Sequence, residues 1–318
     1  MRFDQLIISI RNQVNNDISE IVLPESPKYL YDPIRFTLNG YGKRFRPILV
    51  HLLGRLMNAD QKSISKIAIA VELVHNFTLI HDDIMDNDEM RHGQLTVHSK
   101  WDKSTAILAG DGIFAMAQIL LCSIEIQTKF ICQFFNQTTL EVCEGQALDK
   151  EFENDIKIRE NEYLTMVEKK TGALLGACAA LPAILMNRTS KMVGKLSEFG
   201  RAVGKGFQLH DDLLEIYGDP KEMGKSLGSD IKEGKQTYMV IKARKNFTRK
   251  WDQIIKDEPS KDGLEKFRDF FHSSGIKKET ENLAKKYFNL ARDAIKSIEF
   301  DNEKDLFMFI DLIENRKF

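Results

Sequence analysis

Residues 63–89 read SISKIAIAVELVHNFTLIHDDIMDNDE, and this stretch decides the fold class. Its apolar residues recur at steps of three and four, which is the spacing of one face of an α-helix. The apolar stripe ends in five carboxylates within eight positions, and Asn87 to Gly93 then breaks the helical pattern. The stretch therefore predicts a long buried helix over Ser63 to Met85 with an acidic cluster at its C-terminal end.

The same periodicity extends through the rest of the chain. It predicts further helices over Phe3 to Val14, Thr105 to Cys122, Val193 to Tyr217, Thr237 to Lys245 and Glu279 to Ser297. We find no alternating strand pattern of useful length, no Pro/Gly-rich linker and no short-period repeat. The sequence thus predicts an all-α fold, a helical bundle formed by a single domain over residues 1–318.

Composition excludes several classes of protein. The 318 residues include 46 basic and 47 acidic side chains, and a net charge of -1 excludes a nucleic-acid binder that works by bulk electrostatics. A hydrophobic fraction of 42% excludes a disordered chain. With only 19 glycines and 7 prolines, a turn-rich all-β fold is disfavoured. A mostly helical globular protein remains.

No transmembrane segment and no secretory signal are predicted. The longest apolar run, Ala173 to Met186, is shorter than the ~20 residues that span a bilayer, so we read it as a buried core helix containing Pro182.

The cysteines show no Cys-x-x-Cys spacing and lie among apolar helical residues. We expect them to be reduced core thiols of a cytoplasmic protein. They are Cys122, Cys132, Cys143 and Cys178.

The first acidic cluster has the character of a cation site. Asp82 and Asp86 lie four residues apart on one helix face, with Asp83 beside them. Like charges at that spacing, next to the negative end of the helix dipole, are unfavourable unless a cation neutralises them. Carboxylate oxygens together with substrate phosphates are the ligands that Mg²⁺ prefers. The cluster therefore predicts magnesium.

A second cluster repeats the first. Residues 210–215 read HDDLLE, so Asp211, Asp212 and Glu215 follow a long apolar stretch in the same order of residue types. One such cluster alone would be read as a solvated acidic helix end. Two matching clusters predict two facing acidic patches that hold metal ions between them.

Cations and polar residues accompany these clusters. Residues 40–47 read GYGKRFRP, a glycine-started turn whose arginines can contact phosphate oxygens through two donors each. His75 lies seven residues before Asp82, almost on the same helix face and about 10 Å away, which makes it a candidate substrate contact. Together these residues predict a substrate whose phosphates are bridged by Mg²⁺. The candidates are Lys43, Arg44, Arg46, His75, Arg91, His92, Lys169, Lys170, Thr171, Lys225 and Lys235.

An ordered set of motifs resembles the trans-isoprenyl diphosphate synthases, the polyprenyl synthetase family, over about residues 40–240. The matching segments are Gly42-Lys43-Arg44-Phe45-Arg46-Pro47, Asp82-Asp83-Ile84-Met85-Asp86, Arg91-His92-Gly93, Gly110-Asp111, Gly145-Gln146, Lys170-Thr171, Phe207-Gln208-Leu209-His210-Asp211-Asp212, Lys225 to Asp230 and Gly234-Lys235-Gln236-Thr237. A single Asp-Asp-x-x-Asp motif is weak support, but this ordered set is highly specific.

The resemblance implies the isoprenoid synthase type I fold, a helical bundle around a deep central cavity, usually as a homodimer. It implies condensation of isopentenyl diphosphate with an allylic diphosphate (dimethylallyl, geranyl or farnesyl) and the use of three Mg²⁺ ions, with Mn²⁺ as a substitute. The implied metal ligands are Asp82, Asp83, Asp86, Asp211, Asp212 and Glu215. The implied allylic diphosphate contacts are Arg91, Lys170, Thr171, Gln208, Lys225 and Lys235. The implied isopentenyl diphosphate contacts are Lys43, Arg46, His75 and His92, with Arg44 in the same turn.

Three positions depart from the family pattern. His92 stands where the family usually has a second arginine, so a permanent charge and a two-donor contact are lost. Glu215 replaces the last aspartate of the second motif, and Tyr41 replaces one of two glycines. No motif carboxylate or key lysine is missing, so we expect activity.

Product length depends in this family on large residues just before the first acidic motif. Phe77, five residues before Asp82, is bulky, whereas Thr78 is small, and Val74 lies nearer the Asp82 face. This combination resembles geranylgeranyl (C20) diphosphate synthases more than bacterial farnesyl (C15) diphosphate synthases.

Two alternatives stay open. A terpene cyclase of the same fold also uses an aspartate-rich motif, but it normally has an Asn/Ser/Glu second triad and lacks the Lys43–Arg46 site. A non-catalytic subunit that modulates a partner synthase usually loses an aspartate-rich motif, whereas this chain keeps both. A di-iron carboxylate bundle would need Glu-x-x-His pairs, which neither cluster supplies.

Overall fold

The computed structural model describes residues 2–40, 42–91, 93–218, 229–256 and 263–316. The N-terminal helices are α1 Phe3–Ser19, α2 Lys28–Leu38, α3 Phe45–Leu56 and α4 Gln61–Asp86. The central ones are α5 Val97–Lys100, α6 Lys103–Cys122, α7 Thr128–Phe152, α8 Glu160–Val167, a π-helical turn Glu168–Gly172, α9 Ala173–Leu185 and α10 Ser190–Tyr217. The C-terminal ones are α11 Ser229–Lys232, α12 Tyr238–Lys256, α13 Gly263–Ser273, α14 Ile276–Lys296 and α15 Lys304–Glu314.

The all-α prediction is confirmed, and each predicted helical stretch lies within or across one of these helices. Several helices begin earlier than predicted because a capping side chain precedes the apolar pattern. The Asp60 carboxylate accepts the Ser63 backbone N–H at 2.8 Å, so α4 begins at Gln61. Asp102 caps α6 in the same way through Thr105.

One small hairpin lies inside the predicted break after α4. Strand β1, Met90–Arg91, pairs antiparallel with β2, Gln94–Leu95, through a turn that includes Gly93 at φ 76°. Two-residue strands are too short to produce an alternating pattern, so the sequence does not indicate them. The hairpin places Arg91 beside the end of α4.

The core forms around α9 and α4. Nearly every residue of α9 is buried, and the helix packs against α3, α4, α7 and α10, so the prediction of a buried core helix is confirmed. Pro182 lies inside α9. On α4, Ile64, Ile67 and Val71 are fully buried. The buried side of α4 fixes its orientation and hence the positions of the carboxylates at its end.

Two helices of the described chain, α4 and α6, are long and apolar enough to cross a membrane by length and composition. The core helix of a soluble protein passes the same test, so this observation is weak. Over half of the apolar part of α4 is buried within the bundle, whereas α6 leaves a larger share of its apolar side chains outside it.

The prediction about the cysteines needs correction. All four are free thiols, but only Cys178 is buried, while Cys122 and Cys143 are exposed. Cys122 ends α6, on which the apolar residue Ile119 is exposed as well, and Cys143 occupies an exposed position of α7. Apolar neighbours in the sequence therefore do not guarantee burial on these helices.

The burial of His51 on α3 predicts that the free energy of unfolding depends on pH. This histidine is 1% exposed, and burial lowers its pKa to about 4. The unfolded chain binds a proton at this histidine below pH 6.5 and the folded chain does not, so folding is progressively disfavoured from pH 6.5 down to 4, by about 3 kcal/mol at most. Urea unfolding across this range should show a steeper acid loss for the wild type than for His51→Gln. Parallel pH profiles for the two proteins would contradict this assignment.

Candidate active site

A cavity of about 670 Å³ brings the two acidic clusters together. Asp83 from α4 lines it from one side, and three carboxylates of α10 line it from the other. The α10 carboxylates are Asp211, Asp212 and Glu215. The prediction that the two acidic helix ends face one another across a shared space agrees with this arrangement.

Cationic side chains form another wall of the cavity. Lys43 approaches from the turn before α3, and Arg46 approaches from the first turn of that helix. The Arg46 Nη1 atom lies 3.0 Å from His75 Nε2 on α4. Burial lowers the pKa of Arg46, and burial together with Arg316 lowers the pKa of Lys43. Positive charge held out of water in this way is strongly attracted to an anionic group.

Asp82 and Asp86 lie on an adjacent face of α4, within a network of lysines. The Asp86 carboxylate accepts hydrogen bonds from Lys150 Nζ at 3.2 Å and from Lys235 Nζ at 3.0 Å. Burial would raise the pKa of Asp86, but the two ammonium groups hold it below its usual range. Burial raises the pKa of Asp82, although Lys170 is close.

Lys170 belongs to the same network. Its Nζ atom donates to Asp149 Oδ2 at 2.6 Å. Burial would lower the pKa of Lys170, but the Asp82 and Asp149 carboxylates raise it. The network therefore keeps Lys170 charged beside the first acidic cluster.

Asp83 has a partner of its own on the hairpin. The Arg91 Nε atom donates to Asp83 Oδ1 at 2.5 Å. Burial raises the pKa of Asp83 to about 6 even though the arginine opposes that shift. Arg91 also lines the cavity, so the hairpin delivers a cation to the edge of the site.

The segment after α15 contributes a residue that no sequence motif singled out. The Arg316 guanidinium pairs with the Asp211 carboxylate and lies over the Phe207 ring, 3.7 Å from its centroid. The side chain is only 9% exposed. Stacking on the Phe207 ring and pairing with the Asp211 carboxylate hold a side chain that no local pattern could assign to the site.

Asp212 lies in a chain of hydrogen bonds. Tyr163 O–H donates to Asp212 Oδ2, and Gln208 Nε2 donates to Asp212 Oδ1 at 3.1 Å. The Thr171 hydroxyl donates to Gln208 Oε1 at 2.9 Å, so the chain runs from the π-helical turn to α10. Burial raises the pKa of Asp212 to about 7, while these donors lower it. This network connects two of the predicted motifs.

The π-helical turn positions Lys170 and Thr171. Such turns are rare and occur frequently at functional sites. Two glycines allow the turn to lie directly on its neighbours: a Cβ atom on Gly145 of α7 would lie 2.2 Å from the Lys170 backbone nitrogen, and one on Gly204 of α10 would lie 2.5 Å from Gly172 Cα. Three backbones therefore meet where these two predicted ligands are located.

The predicted chain-length residues lie on α4, before the acidic cluster. Phe77 packs against Phe114 of α6, with ring centroids 5.4 Å apart, and against the His81 ring at 4.7 Å. The Thr78 hydroxyl donates to the backbone carbonyl of His75, and Val74 is fully buried. Phe77 thus fills space between α4 and α6 next to the site.

Three positions singled out in the sequence, Tyr41, His92 and Lys225, lie outside the described residues. Conversely, the sequence motifs did not indicate Lys150, Tyr163 and Arg316, which contact the acidic clusters. They also did not indicate Asp149, which accepts a hydrogen bond from Lys170. The pair Asp149 and Lys150 follows the Gly145-Gln146 motif by one helical turn, and this spacing was the only available signal. Tyr163 had none.

The donor set suits Mg²⁺. The clusters offer hard carboxylate oxygens, and the neighbouring lysines and arginines show that the acidic charge there requires cations. Within the described ranges, no three acid, histidine or cysteine side chains converge into a complete metal cage. Mg²⁺ usually binds one or two carboxylates together with substrate phosphates, so paired carboxylates are the expected arrangement.

Fold and site together define an all-α protein in which two acidic helix ends and a cationic turn share one cavity. The family model described as polyprenyl synthetase matches residues 27–268. The chain is 41% identical over 244 residues to the geranylgeranyl diphosphate synthase of Methanosarcina mazei, covering 75% of each chain. It is 39% identical over 304 residues to that of Saccharolobus solfataricus, covering 92% of this chain and 91% of the relative.

A solved geranylgeranyl pyrophosphate synthetase from Pyrococcus horikoshii Ot3 superposes with a TM-score of 0.90 at 32% identity, covering 99% of this chain and 100% of that one. The chain belongs to the polyprenyl synthetase family. The family resemblance drawn from the motifs is confirmed, and with it the prediction of an isoprenyl diphosphate synthase of the short-chain class.

Proposed function

We propose that this protein condenses isopentenyl diphosphate with an allylic diphosphate and that its main product is the C20 geranylgeranyl diphosphate. The allylic C–O bond breaks and its electron pair leaves with diphosphate. The double bond of isopentenyl diphosphate then attacks the allylic carbon. A proton passes from the condensed cation to the released diphosphate, which restores an alkene. The relatives named above, which are geranylgeranyl diphosphate synthases, support this product.

One observation carries the proposal: carboxylates of α4 and α10 line one cavity together with cations from separate segments of the chain. Beside this cavity, two lysines contact the Asp86 carboxylate. Lys170, Lys235 and Arg91 would balance the charge that develops on the departing diphosphate. Lys43, Arg46 and His75 would hold the diphosphate of the second substrate. Charges fixed in advance in a site with little water stabilise such a transition state without reorganisation.

The carboxylates would bind three Mg²⁺ ions, or Mn²⁺ in their place. Asp82, Asp86 and Asp211 would be the principal ligands, with Asp83, Asp212 and Glu215 in support. Bound there, the ions supply Lewis-acid stabilisation of the leaving diphosphate. Apolar side chains of the cavity, Phe36, Leu79, Ile80 and Phe207, would exclude the water that quenches a carbocation.

The direct test is product analysis. Purified protein is incubated with Mg²⁺, labelled isopentenyl diphosphate and each primer in turn: dimethylallyl, geranyl and farnesyl diphosphate. We expect a C20 diphosphate from at least one primer and no turnover in excess EDTA. A cyclic hydrocarbon would favour the terpene cyclase instead. Absence of any product, with activity restored to a partner synthase, would favour the modulating subunit.

We also propose a cytoplasmic homodimer in which each copy is a single polyprenyl synthetase domain. The outer faces of α6 and α7 expose large apolar side chains, including Ile119 at 71%, Phe130 at 58% and Leu140 at 55%. Large apolar side chains exposed along two helices favour an interaction site there. Light scattering after size exclusion should give twice the mass of the 36.6 kDa chain.

Phe77 should limit product length. Phe77→Ala removes the ring that packs against Phe114 and opens space between α4 and α6. We expect the main product to shift from C20 to C25 or longer, as measured by chromatography of the dephosphorylated prenols. If the variant is folded and its product length is unchanged, Phe77 does not form the floor.

A further inference from the structure

Arg44 stands between two predicted diphosphate contacts, and its side chain points to other protein groups. Its Nη1 atom donates to Glu72 Oε1 at 2.6 Å, Nε donates to Asn15 Oδ1 at 3.0 Å, and Nη2 donates to the Gly40 carbonyl at 2.8 Å. Every nitrogen of the guanidinium therefore has a protein acceptor. Its charge is paired with Glu72, and the two side chains are only 7% and 6% exposed.

The backbone of Arg44 is unusual as well. It adopts the left-handed conformation, at φ 55° and ψ 32°, as the residue that precedes the first turn of α3. A non-glycine residue in this region is strained and persists only where its surroundings hold it. The three side-chain hydrogen bonds stabilise this conformation, because they connect Arg44 to α1, to α4 and to the start of its own turn.

The turn determines where two cations point. Lys43 directly precedes Arg44, and Arg46 follows it within the first turn of α3. Glu72 lies on α4 one helical turn before His75, whose ring contacts Arg46. The Arg44–Glu72 pair thus connects the turn to the helix that presents His75.

We propose that Arg44 is a positioning residue: anchored on Glu72 and Asn15, it holds the strained turn that aims Lys43 and Arg46 at the diphosphate of isopentenyl diphosphate. The inference rests on the proposed function. It assigns Arg44 no contact with substrate, and it gives Glu72, which no motif singled out, a role in the affinity for one substrate only.

Steady-state kinetics of Arg44→Lys, Glu72→Gln and Asn15→Ala separate this role from the alternatives. Displacement of a binding group by about 1 Å can cost up to ~10²-fold. We expect Arg44→Lys and Glu72→Gln each to raise KM for isopentenyl diphosphate on the order of 10-fold or more, and Asn15→Ala to raise it less. KM for the allylic diphosphate should change by less than about twofold in all three, since its contacts lie on other elements.

The outcomes distinguish three roles. If Arg44 bound substrate directly, Glu72→Gln would release its guanidinium and would lower or preserve KM for isopentenyl diphosphate, which would overturn the proposal. If the pair only stabilised the fold, both KM values would stay unchanged while the active fraction and Tm fell, which would also overturn it. Asn15→Ala removes no charge, so it tests the role even if the buried-charge variants fold poorly.

Glu141→Gln is the matched control. It removes a carboxylate that pairs with Arg201 Nη1 at 2.6 Å, away from the cavity lining. We expect it to leave KM for isopentenyl diphosphate unchanged. Wild-type protein that makes no prenyl product would refute the proposed function itself. An active wild type with an unaltered KM in both Arg44→Lys and Glu72→Gln would refute only the positioning role.

Discussion

Alanine at Gly145 should cost most of the activity. The added Cβ would lie 2.2 Å from the Lys170 backbone nitrogen and 2.6 Å from Lys170 Cα, where no flexible side chain can move aside. The π-helical turn must shift, and Lys170 and Thr171 shift with it. We expect kcat/KM for the allylic diphosphate to fall on the order of 10- to 100-fold and the free energy of unfolding to fall by about 1–3 kcal/mol.

Gly194→Ala provides the matched comparison. Gly194 lies in α10, and its Cβ would have no described heavy atom within 4 Å. Alanine in an exposed helix interior stabilises by roughly 0.5–1 kcal/mol relative to glycine. The two variants should therefore differ in kcat/KM for the allylic diphosphate, measured by steady-state kinetics, and in the free energy of unfolding, measured in urea. Wild-type kinetics in Gly145→Ala would show that the turn does not position Lys170.

Asp86→Asn should reduce kcat on the order of 10²- to 10³-fold, a loss comparable to that of one preorganised electrostatic group in an active site. The carboxylate is shared between Lys150 and Lys235 and lies four residues after Asp82. The amide keeps the shape but loses the charge that would bind Mg²⁺. The Mg²⁺ concentration for half-maximal rate should rise as well, and a titration at saturating substrates measures both effects.

Glu89→Gln controls for the change in net charge. Glu89 follows the same helix end and is exposed, and its replacement by glutamine removes the same formal charge as Asp86→Asn. Exposed charges contribute little, so we expect kcat and the Mg²⁺ dependence to stay within about twofold of the wild type. If Asp86→Asn and Glu89→Gln behaved alike, the effect would come from bulk charge and Asp86 would not be a metal ligand.

The local sequence pattern was sufficient to predict the helices and both acidic clusters. Asp82 and Asp211 each end an apolar stripe, so periodicity and charge within a few turns identified them, and the order of motifs identified the family. Periodicity could not indicate that the apolar faces of α6 and α7 remain exposed, because it reports that a face is apolar and not what covers it. The exposed Cys122 follows from that limit.

Contacts between segments that are distant along the chain could not be predicted from the sequence. Arg316 reaches Asp211 from 105 residues further along the chain, and Tyr163 reaches Asp212 from α8. Arginine and tyrosine are common on helices, and nothing in their local spacing shows which carboxylate they meet. Arg44 illustrates the same limit, since only the structure shows that its guanidinium is held by Glu72.

The backbone contacts around the π-helical turn also have a mechanical consequence. Where α7, the turn and α10 meet at Gly145 and Gly204, there are no side chains between the backbones to rearrange. Packed interiors transmit displacement and do not absorb it, so this wall of the site moves as one rigid block. Lys170 and Thr171 are therefore expected to keep their positions relative to α7 and α10 when substrate binds.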